Sequence, residues 1–213
     1  MDYSRQEGFV AGGRENQKQR TRQTLMDAAI ALARDGRSPT IAEVAAAAKV
    51  SLATAHRYFP NRQSLWADVA IMQNWTARTV GFDDLPADPE ERVDRVVRAL
   101  ASAQLGDEVL WREVVRASAD RWFAQLDIPE SDRTPTRGTN RLDLAALALE
   151  PLREQLGPRQ FQRLVQAMTM VFGAEAMISL RDTARLDSES AIEAMSWAAR
   201  ALVRAALAEH AER

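Results

Sequence analysis

The chain has 213 residues, of which 46% are apolar, 27% charged and only 6% aromatic, with a net charge of −2 and no cysteine. This gives room for one large domain or a small one joined to a larger, with a sizeable core, and it excludes disulfides and thiolate metal sites. The charge is uneven, about +5 over residues 14–62 and −6 over 63–213, so a basic head rather than the acidic body is expected to meet a polyanion.

Ala, Leu, Arg and Glu dominate, and nine glycines occur in the whole chain, which favours an all-α fold. Residues 1–16 mix Gly, Gln, Arg and Glu without periodicity and read as a flexible arm. Their polarity offers no apolar core of a secretion signal, and no run approaches the roughly 20 apolar residues of a membrane span. A cytoplasmic protein is expected. From Gln17 to Arg34, Leu25, Ala28, Ala29 and Leu32 recur at helical spacing, and Gly36 and Pro39 stop that helix. Thr40 and Glu43 form a capping box for a helix over 41–48. Ser51 caps a short helix ending near Phe59, and Asn61 caps one over 62–80.

Beyond the break at Gly81-Phe82-Asp83-Asp84, Asp88, Pro89 and Glu91 start a helix to about Leu105. Further helices are expected at 107–126, 141–155, 158–181 and 188–208, the third opening on Gly157-Pro158. Nine helices and no strand result. The organisation expected is an arm at 1–16, a helix-turn-helix domain at 17–62 and a larger domain at 63–213.

The two short helices joined at Lys49-Val50-Ser51 make a helix-turn-helix, whose second helix enters the DNA major groove. Ala55 and Phe59, four apart, face inward. Thr54, Arg57 and Tyr58 share the opposite face, with His56 flanking it. Arg57 can donate two hydrogen bonds to a guanine or pair with phosphate, and Thr54 and Tyr58 can donate to phosphate. His56 can do either. Ala53 and Ala55 keep the helix surface low. Arg62 opens the next helix, where backbone N–H groups favour an anion, and Thr40 is placed similarly on the motif's first helix. The residues expected at DNA are therefore Thr40, Lys49, Ser51, Ala53, Thr54, His56, Arg57, Tyr58 and Arg62. Arg14, Lys18, Arg20 and Arg22 add a basic arm.

The stretch TIAEVAAAAKVSLATAHRYFPNRQSLW resembles the DNA-binding motif of the TetR family of transcriptional regulators, and TLMDAAIALARDG resembles the helix before it. The likeness covers about residues 20–68. It implies an all-α homodimer whose N-terminal domains bind a palindromic double-stranded operator, usually as a repressor. It also implies a C-terminal small-molecule pocket and a four-helix bundle made by the last two helices of each chain. Some positions depart from the family pattern. Lys49 stands for the usual turn Gly, His56 for a frequent Tyr, Tyr58 for a frequent His, Leu52 for a Lys and Ala55 for a Leu.

The last two helices are apolar on more than one face. Phe161, Val165, Met168 and Met177 on one, with Ile192, Met195, Ala199, Leu202 and Val203 on the other, are candidates for a dimer interface, unless the pair is wholly internal. For an effector of unknown identity, Trp75, Trp111, Val115, Arg116, Trp122, Phe172 and Glu175 are candidates, unless the aromatics simply fill the core. The only histidines are His56 and His210, and neither a zinc-protease motif, a phosphate-cradling Gly loop nor a nucleophile elbow occurs. No enzyme, metal or cofactor is expected. The reading is a ligand-responsive repressor; the alternative is a dimeric helical sensor or adaptor that reads no DNA sequence.

Overall fold

In the computed structural model the backbone is described for residues 3–69 and 84–212, and side chains from residue 16 onward within those ranges. The described residues contain α-helices, short 3-10 turns and no strand, so the fold is all-α as expected. The chain forms two compact units, Met1–Val69 and Ala70–Arg213.

The first unit holds α1 (Tyr3–Arg34), α2 (Ile41–Ala47), α3 (Leu52–Tyr58) and the start of α4 (62–69). α1 is helical from Tyr3, earlier than the start at Gln17 that the spacing of apolar residues predicts. No proline interrupts this stretch, and its Gln, Arg and Glu residues are good helix formers. Gly36 ends the helix as expected, at φ 74°. Its N–H reaches Ala33 O at 2.9 Å and the next N–H reaches Leu32 O at 3.2 Å, the reciprocal pattern of a glycine-terminated helix. Leu25, Ala29 and Ala33 of α1 are fully buried, with Val44 and Ala45 of α2, Ala55 and Phe59 at α3, and Leu65, Trp66 and Val69 of α4.

The second unit contains α5 (Pro89–Gly106), α6 (Glu108–Phe123), α7 (Asn140–Leu149), α8 (Arg153–Val171), α9 (Ala174–Asp182) and α10 (Ser188–Ala211). Asp88 caps α5 by accepting the Glu91 N–H at 2.9 Å. Its core joins Val93, Val96, Val97 and Leu100 of α5 to Leu144 and Leu149 of α7, Phe161, Val165 and Met168 of α8, and Met195, Ala199 and Val203 of α10. Gly157 takes φ 70° and Pro158 follows it, so the chain turns and restarts there as the sequence suggests.

The helix expected over 158–181 is two helices. α8 stops at Val171, Phe172 is extended, and Gly173 takes φ 104°. The reason lies in Arg141 of α7. Its guanidinium packs against Gly173, where any Cβ would fall 2.6 Å from Nε. It donates to Thr169 O at 2.8 Å and pairs with Glu175. A cation thus sits between the C-terminus of one helix and the first turn of the next, where the backbone at φ 104° favours glycine.

Candidate nucleic-acid interface

Reciprocal hydrogen bonds build the motif. The Thr40 hydroxyl accepts the Glu43 N–H at 3.2 Å, and Glu43 Oε2 accepts the Thr40 N–H at 2.8 Å and its hydroxyl at 3.0 Å. Arg37 adds Nη2 to Glu43 Oε1 at 2.5 Å. Thr40 is therefore a capping residue whose hydroxyl proton is given to Glu43. The Thr40 N–H and hydroxyl, followed by Arg37, hold the Glu43 carboxyl below its usual 4.5. A depressed carboxyl stabilises the fold fully above its unfolded pKa and loses that contribution as pH falls through the folded value. Glu43→Gln is thus expected to lower the denaturant midpoint of the first unit at about pH 6 and to match the parent at about pH 3. Equal differences at both pH values would show that the carboxylate form is not what counts.

The turn runs through Lys49 at φ 56°, one of two described non-glycine residues at positive φ. Its N–H reaches Ala46 O at 3.1 Å and the Val50 N–H reaches Ala45 O at 3.0 Å, so the strained conformation closes α2. A lysine there costs about 1–2 kcal/mol relative to an unstrained backbone, and it leaves an exposed ammonium in the turn. Ser51 caps α3 by accepting the Thr54 N–H at 3.1 Å, and its own hydroxyl donates to Thr54 Oγ1 at 2.9 Å. Thr54 Oγ1 is the acceptor in that bond.

On α3, Ala55 and Phe59 are each 1% exposed. Ala53, His56 and Arg57 are exposed, and Thr54 and Tyr58 half-buried. The face the sequence proposes for a duplex is thus open, and its reverse is closed into the core. The Arg57 guanidinium stacks on the Tyr58 ring at 5.6 Å, which holds a long side chain along the helix surface. His56 Nδ1 lies 3.2 Å from Pro60 O. Asn61 caps α4 by accepting the Ser64 N–H at 2.8 Å. Arg62 is half-buried, with Nη2 donating to Ser38 at 2.6 Å, so it ties α4 to the segment before α2. Of the basic residues expected in an arm, Arg22 is engaged within the unit. It bonds Asp68 through Nε at 2.7 Å and lies over the Phe59 ring at 5.7 Å.

The other candidate sets fare differently. Phe161, Val165, Met168, Met177, Met195, Ala199 and Val203 are each at most 4% exposed inside one chain. These side chains are enclosed within one chain, whereas Ile192 and Leu202, of the same expected set, are half-buried. Sequence reading missed Trp197 of α10, 61% exposed, and Met170 of α8, 76% exposed. Trp197 shares a face of α10 with Ala194, three residues before it, and Ala201, four after it, a pattern visible in the sequence once the buried row is known.

Of the pocket candidates, Trp75 lies outside the described residues. Trp111 and Phe172 are buried, but Phe172 belongs to the main core cluster and Trp111 does not. Val115 is half-buried. Trp122 is 48% exposed and stands edge-on to Phe123. Arg116 is exposed and pairs with Glu113 at 2.6 Å. Glu175 pairs with Arg137 at 2.6 Å and with Arg141, and this clamp accounts for a carboxylate in an apolar run. Burial pushes the Arg137 guanidinium below its usual value. Among the described residues no group of His, Cys, Asp or Glu could hold a metal ion, and no helix is long and apolar enough to cross a membrane.

No family model and no curated protein matches the sequence. Solved structures do match in fold. A TetR transcriptional regulator from Rhodococcus sp. RHA1 superposes with a TM-score of 0.65 at 20% identity, covering 86% of this chain and 96% of that one. A protein assigned to the same family of regulators, from Mesorhizobium loti MAFF303099, gives 0.57 at 18% identity, covering 90% and 96%. The chain therefore has the fold of the TetR transcriptional regulators.

Proposed function

We propose that the protein is a transcriptional regulator, a repressor that binds a palindromic duplex operator as a homodimer and is released by a small-molecule effector. The observation that carries this reading is the two-sidedness of α3. Ala55 and Phe59 close one side into the core while His56 and Arg57 stand exposed on the other, in a chain whose fold is used by known regulators. Arg57 supplies guanine recognition or a phosphate clamp. Lys49, Thr54 and Tyr58 supply phosphate contacts that set the register. Arg62, braced on Ser38, holds the motif together as it meets the backbone.

The homodimer is proposed to form through the outer row of α10 around Trp197, with Met170 of α8. The small residues on that row let a second helix approach closely, and an isolated exposed Trp and Met gain from being covered. A dimeric helix-turn-helix protein reads half-sites about one DNA turn apart or a multiple of it. The effector is proposed to bind in the second unit, with Trp111 and Val115 of α6 and Phe172 as its apolar contacts. Its binding would favour a spacing of the recognition helices that the operator does not fit.

Selection of bound sequences from a random duplex pool, at two salt concentrations, tests the reading. A palindromic consensus supports it. No enrichment from a folded, ligand-free dimer would favour a sensor or adaptor. With the consensus as probe, Arg57→Ala is expected to weaken binding by about 1–3 kcal/mol and to relax one base preference. Unchanged affinity and selectivity would remove Arg57 from the reading surface.

A further inference from the structure

The backbone next to α3 narrows what His56 can read. Its Nδ1 lies 3.2 Å from the Pro60 carbonyl oxygen. A carbonyl only accepts, so a hydrogen bond there requires the proton on Nδ1. In the neutral ring that leaves Nε2 with a lone pair and no proton. The two nitrogens sit on opposite flanks of the five-membered ring. With Nδ1 turned to Pro60, Nε2 faces away from that backbone, and His56 is exposed.

We propose that His56, given the DNA-binding reading above, selects an amino base at one position of each half-site. In the neutral ring Nε2 accepts, so its partner there must donate. In the major groove adenine offers N6–H and cytosine N4–H, whereas guanine and thymine present acceptors. Phosphate oxygens are acceptors too, so the backbone is a poor partner for this tautomer. A tyrosine hydroxyl, frequent at this position in the family it resembles, both donates and accepts and would make no such choice. The next residue, Arg57, only donates. Two adjacent side chains of α3 thus carry opposite hydrogen-bonding polarity, one suited to adenine or cytosine and the other to guanine.

The test is sequence selection from a random duplex pool with the full chain, with His56→Ala and with His56→Lys. The parent is expected to show adenine or cytosine at one position per half-site, preferred roughly tenfold over guanine or thymine. His56→Ala should bring that position close to an even distribution and leave the rest of the consensus intact. His56→Lys, which only donates, should move it to guanine or thymine. The assignment falls if the amino-base preference survives in His56→Ala. It also falls if the parent prefers guanine or thymine there, or if His56→Ala weakens all sequences alike, as loss of a phosphate contact or of the Pro60 bond alone would do. A parent that enriches no sequence fails earlier, by removing the DNA-binding reading itself.

Discussion

Phe59→Ala is expected to destabilise the first unit by about 3–5 kcal/mol, the usual cost of emptying a buried phenylalanine site. Phe59 is 1% exposed and closes α3, with its N–H on Ala55 O at 2.8 Å. Its ring lies against α1, with the Arg22 guanidinium 5.7 Å from the centroid. A short helix of seven residues has little stability of its own, so α3 depends on this anchor. Small domains are stable by only about 5–15 kcal/mol, so the loss is a large fraction of that. The second unit has its own core around Leu149 and Val203. Thermal unfolding followed by circular dichroism should therefore show an early transition displaced and a later one unmoved, with DNA binding lost at ambient temperature. A single transition shifted as a whole would mean that the two units do not unfold independently.

Trp197→Ala is expected to weaken self-association by about 2–4 kcal/mol, roughly 30-fold or more, while leaving the folded monomer nearly unchanged. The two effects separate because the side chain is 61% exposed in one chain and so contributes little to its core. Sedimentation over a range of protein concentrations reads the first effect, and a denaturant melt extrapolated to low concentration reads the second. A dimer as tight as the parent's would place the interface elsewhere. Loss of monomer stability instead would mean that Trp197 acts within the chain.

Much of the fold was legible because local chemistry fixed it. Thr40 with Glu43, Ser51, Asn61 and Asp88 announce helix starts, and each makes its capping bond. Gly36 and Gly157-Pro158 announce stops and turns, and both glycines take positive φ. The division of α3 into a buried and an exposed side was legible because a period of 3.6 separates Ala55 and Phe59 from Arg57. The break at Phe172-Gly173 was not, because a helical pattern runs through it and its cause, Arg141, lies about thirty residues upstream. That the residues read as a dimer interface are enclosed within one chain was not legible either, for a different reason. A residue buried in its own chain and one buried between two chains have the same apolar character, so Val203 and Met195 could not be told from interface residues by type. Only the rotation of α10 about its axis, set by packing on α5 and α8, reveals that Trp197 faces out.

The distribution of indoles has a spectroscopic consequence. Trp66 is fully enclosed, Trp111 nearly so, while Trp122 and Trp197 are open to solvent. Solvent-facing indoles emit to the red and are reached by small quenchers, and enclosed ones are not. The unlabelled protein thus contains its own gauge of assembly, because a partner covering α10 would shield Trp197 and shift its share of the emission to the blue, while Trp122 would stay quenchable as an internal reference.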